Sequence, residues 1–182
     1  MAQNNNPTPR NMTFRQIVDT FETIADKHDL IKSFDSGSLQ EVDIEKMDLE
    51  LFPLLYITPN PVTIDTQTII YSFDVIIADH TGGGEKGQRR QMKKSQQIFS
   101  NYRGLNDTYN QTLWIMRDVI SNFRQNVQAK SWVDQRIDLE LPTSLEPFTS
   151  RFANLLSGWA GTLNITCQNT NNLCDVPQTM NT

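Results

Sequence analysis

The stretch Ile69-Ile70-Tyr71-Ser72-Phe73-Asp74-Val75-Ile76-Ile77-Ala78-Asp79 decides the fold. Ile69, Tyr71, Phe73, Val75 and Ile77 alternate with Ile70, Ser72, Asp74, Ile76 and Ala78. A period of two puts a wholly apolar row on one face, which predicts a long strand between residues 62 and 78 with one side turned to a core. Upstream, Pro59-Asn60-Pro61 predicts a turn. Residues 51–57 are apolar but contain Pro53, which cannot donate to a ladder and so predicts an edge or bulged strand there. Residues 35–50 carry Asp35, Glu41, Asp43, Glu45, Asp48 and Glu50 against the lone base Lys46, an acidic loop leading into that strand.

The N-terminal part announces a helix twice. Thr13 and Gln16 have the spacing of a capping box, and Met12 with Ile17 that of a hydrophobic staple. Phe14, Ile17, Val18, Phe21, Ile24, Ala25 and Ile31 then recur at spacings of three, four and seven, so the helix is expected to run to about residue 31. Residues 1–11 are polar, with Pro7 and Pro9, and read as a flexible tail.

Downstream of Asp79 the composition changes. His80-Thr-Gly-Gly-Gly-Glu-Lys-Gly opens a segment, residues 80–106, that is first glycine-rich and then basic, with Lys86, Arg89, Arg90, Lys93, Lys94 and Arg103. A connection of that length is expected to be functional or unstructured. Tyr109, Leu113, Met116, Ile120, Phe123 and Val127 predict a helix over about residues 107–127, and Gly104 with Asn106-Asp107 opposes its extension backwards. Ile137, Leu139 and Leu141 predict a short strand ending at Pro142, and residues 148–156 carry a brief helical pattern. Trp159, Gly161, Leu163, Ile165 and Cys167, alternating with Ala160, Thr162, Asn164 and Thr166, predict the last strand before a polar tail at 168–182.

These elements predict an α+β fold: a small, mainly antiparallel sheet with two principal helices packed on one face, plus a long inserted arm. The chain of 182 residues is expected to be a single domain, with its core in 12–79 and 107–167 and a basic arm at 80–106. Hydrophobic residues are only 37%, so the core is modest, and charged residues are 20%, so polar uncharged side chains make up the difference. With 16 bases against 21 acids the net charge is -5, which argues against a surface given over wholly to nucleic acid but leaves a local basic patch open. The sequence has no apolar run of transmembrane length, and its N-terminus has no signal-like apolar segment. The protein is therefore expected to be soluble and made in the cytoplasm, with no membrane partner.

Chemistry finds little purchase. Cys167, Cys174, His28 and His80 are the only soft metal ligands, with no zinc-type spacing among them, so neither metal nor cofactor is expected. Residues 82–87 lack the phosphate-loop spacing, and Asp43, Glu45, Asp48 and Glu50 lack that of a calcium loop, so no catalytic residue is assigned. Cys167 falls on the apolar face of the last strand and is expected to pack in the core. The basic arm remains. Lys86, Arg89, Arg90, Lys93 and Lys94 have neither interleaved aromatics nor a helix-turn-helix context. Three readings stay open for them: a solvated loop, direct DNA contact, or a partner-binding arm that meets Glu41, Asp43, Glu45 and Asp48 of a neighbouring copy. Trp159, flanked by Gly158 and Ala160-Gly161, is either a core residue or an interface anchor.

The order of elements carries a resemblance. An amphipathic helix at 14–31, the long strand ending in Phe73-Asp74-Val75-Ile76-Ile77-Ala78-Asp79, the helix Asn110-Gln-Thr-Leu-Trp-Ile-Met-Arg-Asp-Val-Ile, and Glu146-Pro-Phe-Thr-Ser-Arg-Phe-Ala-Asn-Leu-Leu-Ser-Gly-Trp resemble tail-terminator-like and neck-ring proteins at the head-to-tail junction of tailed bacteriophages. The last motif with its trailing Cys174 is similar to ring proteins of crAss-like phages. The resemblance covers about residues 12–176, on diffuse packing patterns rather than a catalytic signature. It implies a virion protein without chemistry of its own, forming a homo-oligomeric ring of twelve copies in preference to six, stacked with the portal and other neck or tail rings. DNA would pass through the channel without specific binding. The arm at 80–106 exceeds the usual connection in tail terminators, which favours a ring with an elaborated contact. The competing expectation is a DNA-binding accessory module acting through residues 86–103.

Overall fold

In the computed structural model, the described residues are 13–38, 49–81, 104–129, 137–151 and 156–169. Two strands of thirteen residues form the centre of the sheet: β4 (Thr68–His80) and β7 (Leu156–Gln168) pair antiparallel along their whole length, from Thr68 opposite Gln168 to His80 opposite Leu156. The outer edge of β4 is covered by β2 (Leu54–Pro59) and then by β3 (Thr63–Ile64), both antiparallel to it. The outer edge of β7 is covered in the same divided way by β5 (Ile137–Leu139) and β6 (Leu145–Arg151). The last strand, β1 (Ser33–Ser36), lies parallel to β2, so the order across the sheet is β1-β2-β4-β7-β5. The α+β class and the mainly antiparallel sheet are as the sequence predicts.

Both helices, α1 (Phe14–Lys27) and α2 (Leu105–Ala129), pack on one face of this sheet. The reason is the alternation in β4: Phe73, Val75 and Ile77 point to one side, joined by Leu55 and Ile57 of β2, Leu163, Ile165 and Cys167 of β7, and Leu139 of β5. Ile17, Phe21, Ile24 and Ala25 of α1 and Ile115, Met116, Val119 and Phe123 of α2 close over that row. Phe21 is the hinge pin of the packing. Its ring stacks on Phe123 at a centroid distance of 4.6 Å and meets Phe73 at 6.2 Å, which joins α1, α2 and β4.

The start of α1 is as expected: the Thr13 hydroxyl accepts from Gln16 N–H, and Thr13 N–H donates to the Gln16 side chain at 2.8 Å, a complete capping box. Its end is earlier than the spacing suggests. His28 is extended at φ -90° and ψ 120°, and its Nδ1 accepts from Leu30 N–H, so the chain turns after Lys27. Ile31 is still buried because the turn, not a further helical turn, delivers it to the core. α2 begins at Leu105, where the carbonyl of Gly104 accepts from both Asp107 and Thr108 N–H, and Cys167 is a buried free thiol.

Three local expectations are corrected. Pro53 does not mark an edge strand: it precedes β2, its carbonyl accepts from Lys32 N–H, and β1 covers the flank of β2 that the proline was expected to leave open. Pro59-Asn60-Pro61 does not reverse the chain, because β2 and β3 run in the same direction along β4. Pairing moves from Pro59 opposite Phe73 to Thr63 opposite Ile70, a one-residue slip, and the reversal falls at residues 65–67, where Asp65 N–H donates to Thr68 O. Of the pattern at 148–156, residues 148–151 are strand rather than helix, and residues 152–155 lie outside the described residues. β6 reaches Arg151 and pairs with β7, and Pro147, which hid the strand, is tolerated because it lies on the sheet's outer edge.

Candidate interface on the open face of the sheet

The second face of the sheet has no helix on it among the described residues. One end is apolar, where Leu54, Tyr56, Ala78, Phe148 and Leu156 cluster with Phe52. Beyond Ile76, which packs against that cluster, the face is mostly polar: beside Ile70, the residues Ser72, Asp74, Thr162, Asn164 and Thr166 of β4 and β7 face this way. These side chains are knit together across strands. The Ser72 hydroxyl donates to Asn164 Oδ1 at 2.8 Å, Asn164 Nδ2 to Glu140 Oε2 at 3.3 Å, and the Thr166 hydroxyl to Glu140 Oε1 at 3.0 Å.

Between the two zones lies an open groove of about 570 Å³. The short side chain of Ala160 and the backbone of Gly161 on β7 form its floor, and Thr143, Ser144 and Glu146 stand along one side. Asp74 sits within it. Asn60 Nδ2 and the Thr162 hydroxyl donate to the same carboxylate oxygen, Oδ1, at 2.8 and 2.7 Å, which fixes the group and leaves Oδ2 without a hydrogen bond among the described residues. The Thr58 hydroxyl, also lining the groove, is buried and has no hydrogen-bond partner. By register, Asp35 beside Tyr56, Asp138 beside Thr166 and Glu146 beside Ala160 share this face with Asp74. Of the described lysines and arginines, Arg15 and Lys27 lie on α1, Arg117 and Arg124 on α2 and Lys32 ahead of β1, while Arg151 ends β6, opposite Leu156 at the apolar end of the sheet. Carboxylates that form no ion pair among the described residues favour a cationic hydrogen-bond donor in the groove.

Of the residues singled out from sequence, Lys86, Arg89, Arg90, Lys93, Lys94, Glu41, Asp43, Glu45 and Asp48 lie outside the described residues. Trp159 is half-buried against the core, on the helix side of β7. Its Nε1–H donates to the Tyr109 carbonyl at 2.9 Å, and the two rings meet at 5.8 Å. Among the described residues the tryptophan that projects is Trp114, 63% exposed, placed on α2 opposite the buried row of Thr112, Ile115, Met116 and Val119. His28, expected as a surface or packed histidine, sits between the helices, with Nε2 at 3.6 Å from Asp118 Oδ2.

Among the described residues no three His, Cys, Asp or Glu side chains are grouped to hold a metal ion, and no helix is long and apolar enough to cross a membrane. The sequence matches no protein-family model and no curated protein.

Proposed function

We propose that this chain is a structural subunit of a ring at the portal-tail junction of a tailed bacteriophage, joining head to tail around the DNA channel, with no chemistry of its own. The observation that carries this reading is the separation of charge. The open sheet face gathers the carboxylates of Asp35, Asp74, Asp138, Glu140 and Glu146, while the sequence between β4 and α2 gathers Lys86, Arg89, Arg90, Lys93 and Lys94. Two distinct, complementary patches on one chain suit a heterologous contact, in which each copy offers one patch to each neighbour, and such contacts close into a ring when the rotation closes. The resemblance of residues 14–31, 73–79, 110–120 and 146–159 to neck-ring proteins supplies the place of that ring: between the portal and the other neck or tail rings, with twelve copies favoured over six.

A channel kept free of the basic run also suits passage of duplex DNA. Phosphates paired to lysine or arginine would release counterions and hold the duplex, whereas carboxylates do not. The basic run is therefore assigned to protein contact rather than to the lumen.

Co-expression with the cognate portal protein, followed by native mass spectrometry, tests the reading. The expected species is a portal complex carrying a closed set of copies of this chain. A chain that ignores the portal but binds duplex DNA at micromolar concentration near physiological salt, and loses that binding when Arg89, Arg90, Lys93 and Lys94 are neutralised, would make it a DNA-binding accessory module instead.

A further inference from the structure

We infer that the groove around Asp74 is the docking site for the basic segment 86–94 of a second copy of this chain, with an arginine guanidinium seated against Asp74 Oδ2. This deepens the ring reading and rests on it for the neighbouring copy.

The groove asks for a particular kind of ligand. Its floor is the single methyl of Ala160 and the backbone of Gly161, over which a long side chain can lie. Asp74 is held by two donors on Oδ1 and keeps Oδ2 for a third, and Thr58 contributes a buried hydroxyl that lacks a partner. The Glu146 carboxylate on the rim has no hydrogen-bond partner among the described residues and adds a second negative charge. A planar cation with several N–H donors satisfies carboxylate oxygens and a hydroxyl together, which a point-like ammonium does less completely. Residues 86–94 read Lys-Gly-Gln-Arg-Arg-Gln-Met-Lys-Lys, with five cations, no acid and a single apolar side chain, Met92. That is the most basic run of the sequence, and the acidic open face is its electrostatic complement.

The second copy is the occupant because two complementary patches on one chain suit a heterologous contact between copies, the kind that closes a ring. The segment leaves β4 after Thr81 and returns at Gly104 to start α2, which packs on the face opposite the groove.

The test mixes two variants of the full chain. In one the groove is neutralised by Asp74→Asn with Glu146→Gln; the asparagine oxygen can still accept from Asn60 and Thr162. In the other the segment is neutralised by Arg89→Gln, Arg90→Gln, Lys93→Gln and Lys94→Gln. Each variant alone lacks one half of the contact, and a mixed pair regains one whole contact. The expected result in sedimentation velocity is a one-to-one complex in the mixture, about tenfold tighter than either variant with itself and weakening as salt is raised. No complex in the mixture, or one equally strong in either variant alone, overturns the inference.

A labelled peptide of residues 84–96, titrated onto the segment-neutralised chain, reads the same contact at lower affinity. Its binding is expected to fall about tenfold when Asp74→Asn and Glu146→Gln are added, and unchanged binding overturns the assignment. Both measurements use isolated chains. The contact can therefore fail while the chain still occupies a virion neck, and can hold if it does not.

Discussion

The indole Nε1–H of Trp159 on β7 donates to the backbone carbonyl of Tyr109 at 2.9 Å, tying the last strand to the second turn of α2 fifty residues earlier. This bond makes Trp159 a clamp between sheet and helix. Trp159→Phe keeps the ring's bulk but removes the donor, and is expected to cost about 1 kcal/mol; Trp159→Ala also removes packing against Tyr109 and is expected to cost about 3 kcal/mol. Urea unfolding midpoints check both values. Trp114→Ala, on the exposed side of α2, is expected to change stability by less than about 0.5 kcal/mol.

The two glycines beside that clamp separate backbone from side-chain crowding. A Cβ on Gly158 would lie 1.9 Å from the Ile77 carbonyl oxygen, inside the β4–β7 pairing, where neither strand can retreat. Gly158→Ala is expected to cost about 3 kcal/mol or more and to yield little folded protein. A Cβ on Gly161 meets the end of the Leu145 side chain at 2.5 Å and Ser144 O at 2.9 Å. Leu145 can turn aside, so Gly161→Ala is expected to fold, at a cost of about 1 kcal/mol. Thermal melts of the two variants would contradict this if Gly161→Ala proved the more damaging.

Burial pushes the Cys167 thiol up to about 11 from its ordinary value near 9. Burial first, and the nearby Cys167 second, also raise the Tyr71 phenol. Between about pH 9 and pH 11 the unfolded chain gives up the thiol proton while the folded chain keeps it. The unfolding free energy therefore falls as pH rises, by at most about 1.4 kcal/mol per pH unit from this group, and is unaffected by it below pH 9. Urea midpoints from pH 8 to pH 11 are expected to fall less steeply in Cys167→Ala than in the natural chain; equal slopes would contradict the assignment.

The capping box gives the simplest local check. Thr13→Ala removes the acceptor for Gln16 N–H and is expected to cost about 1 kcal/mol, read by denaturant unfolding. Thr13→Ser keeps the acceptor and is expected to cost little.

The elements legible in the sequence are those whose pattern is local. Phe73, Val75 and Ile77 announce β4 by alternation alone, Thr13 and Gln16 announce α1 by spacing, and Leu163, Ile165 and Cys167 announce β7. β6 was hidden because Pro147 interrupts its alternation and because its partner is a strand rich in small residues, Gly158, Ala160 and Gly161. The flank of β2 was misread because its cover, β1, is only four residues long and joins by parallel pairing across the intervening loop. The groove was illegible for a different reason. The partners that fix Asp74 are Asn60, fourteen residues away, and Thr162, eighty-eight residues away, and their meeting depends on the β4–β7 register rather than on any motif.

Cryo-electron microscopy of the neck of purified virions decides whether the chain is a ring subunit. The expected density is a closed ring of twelve copies, or of six, between portal and tail, with the helix-free sheet face of each copy turned to its neighbour. A chain absent from the particle, or present as an isolated single copy, would contradict the proposal.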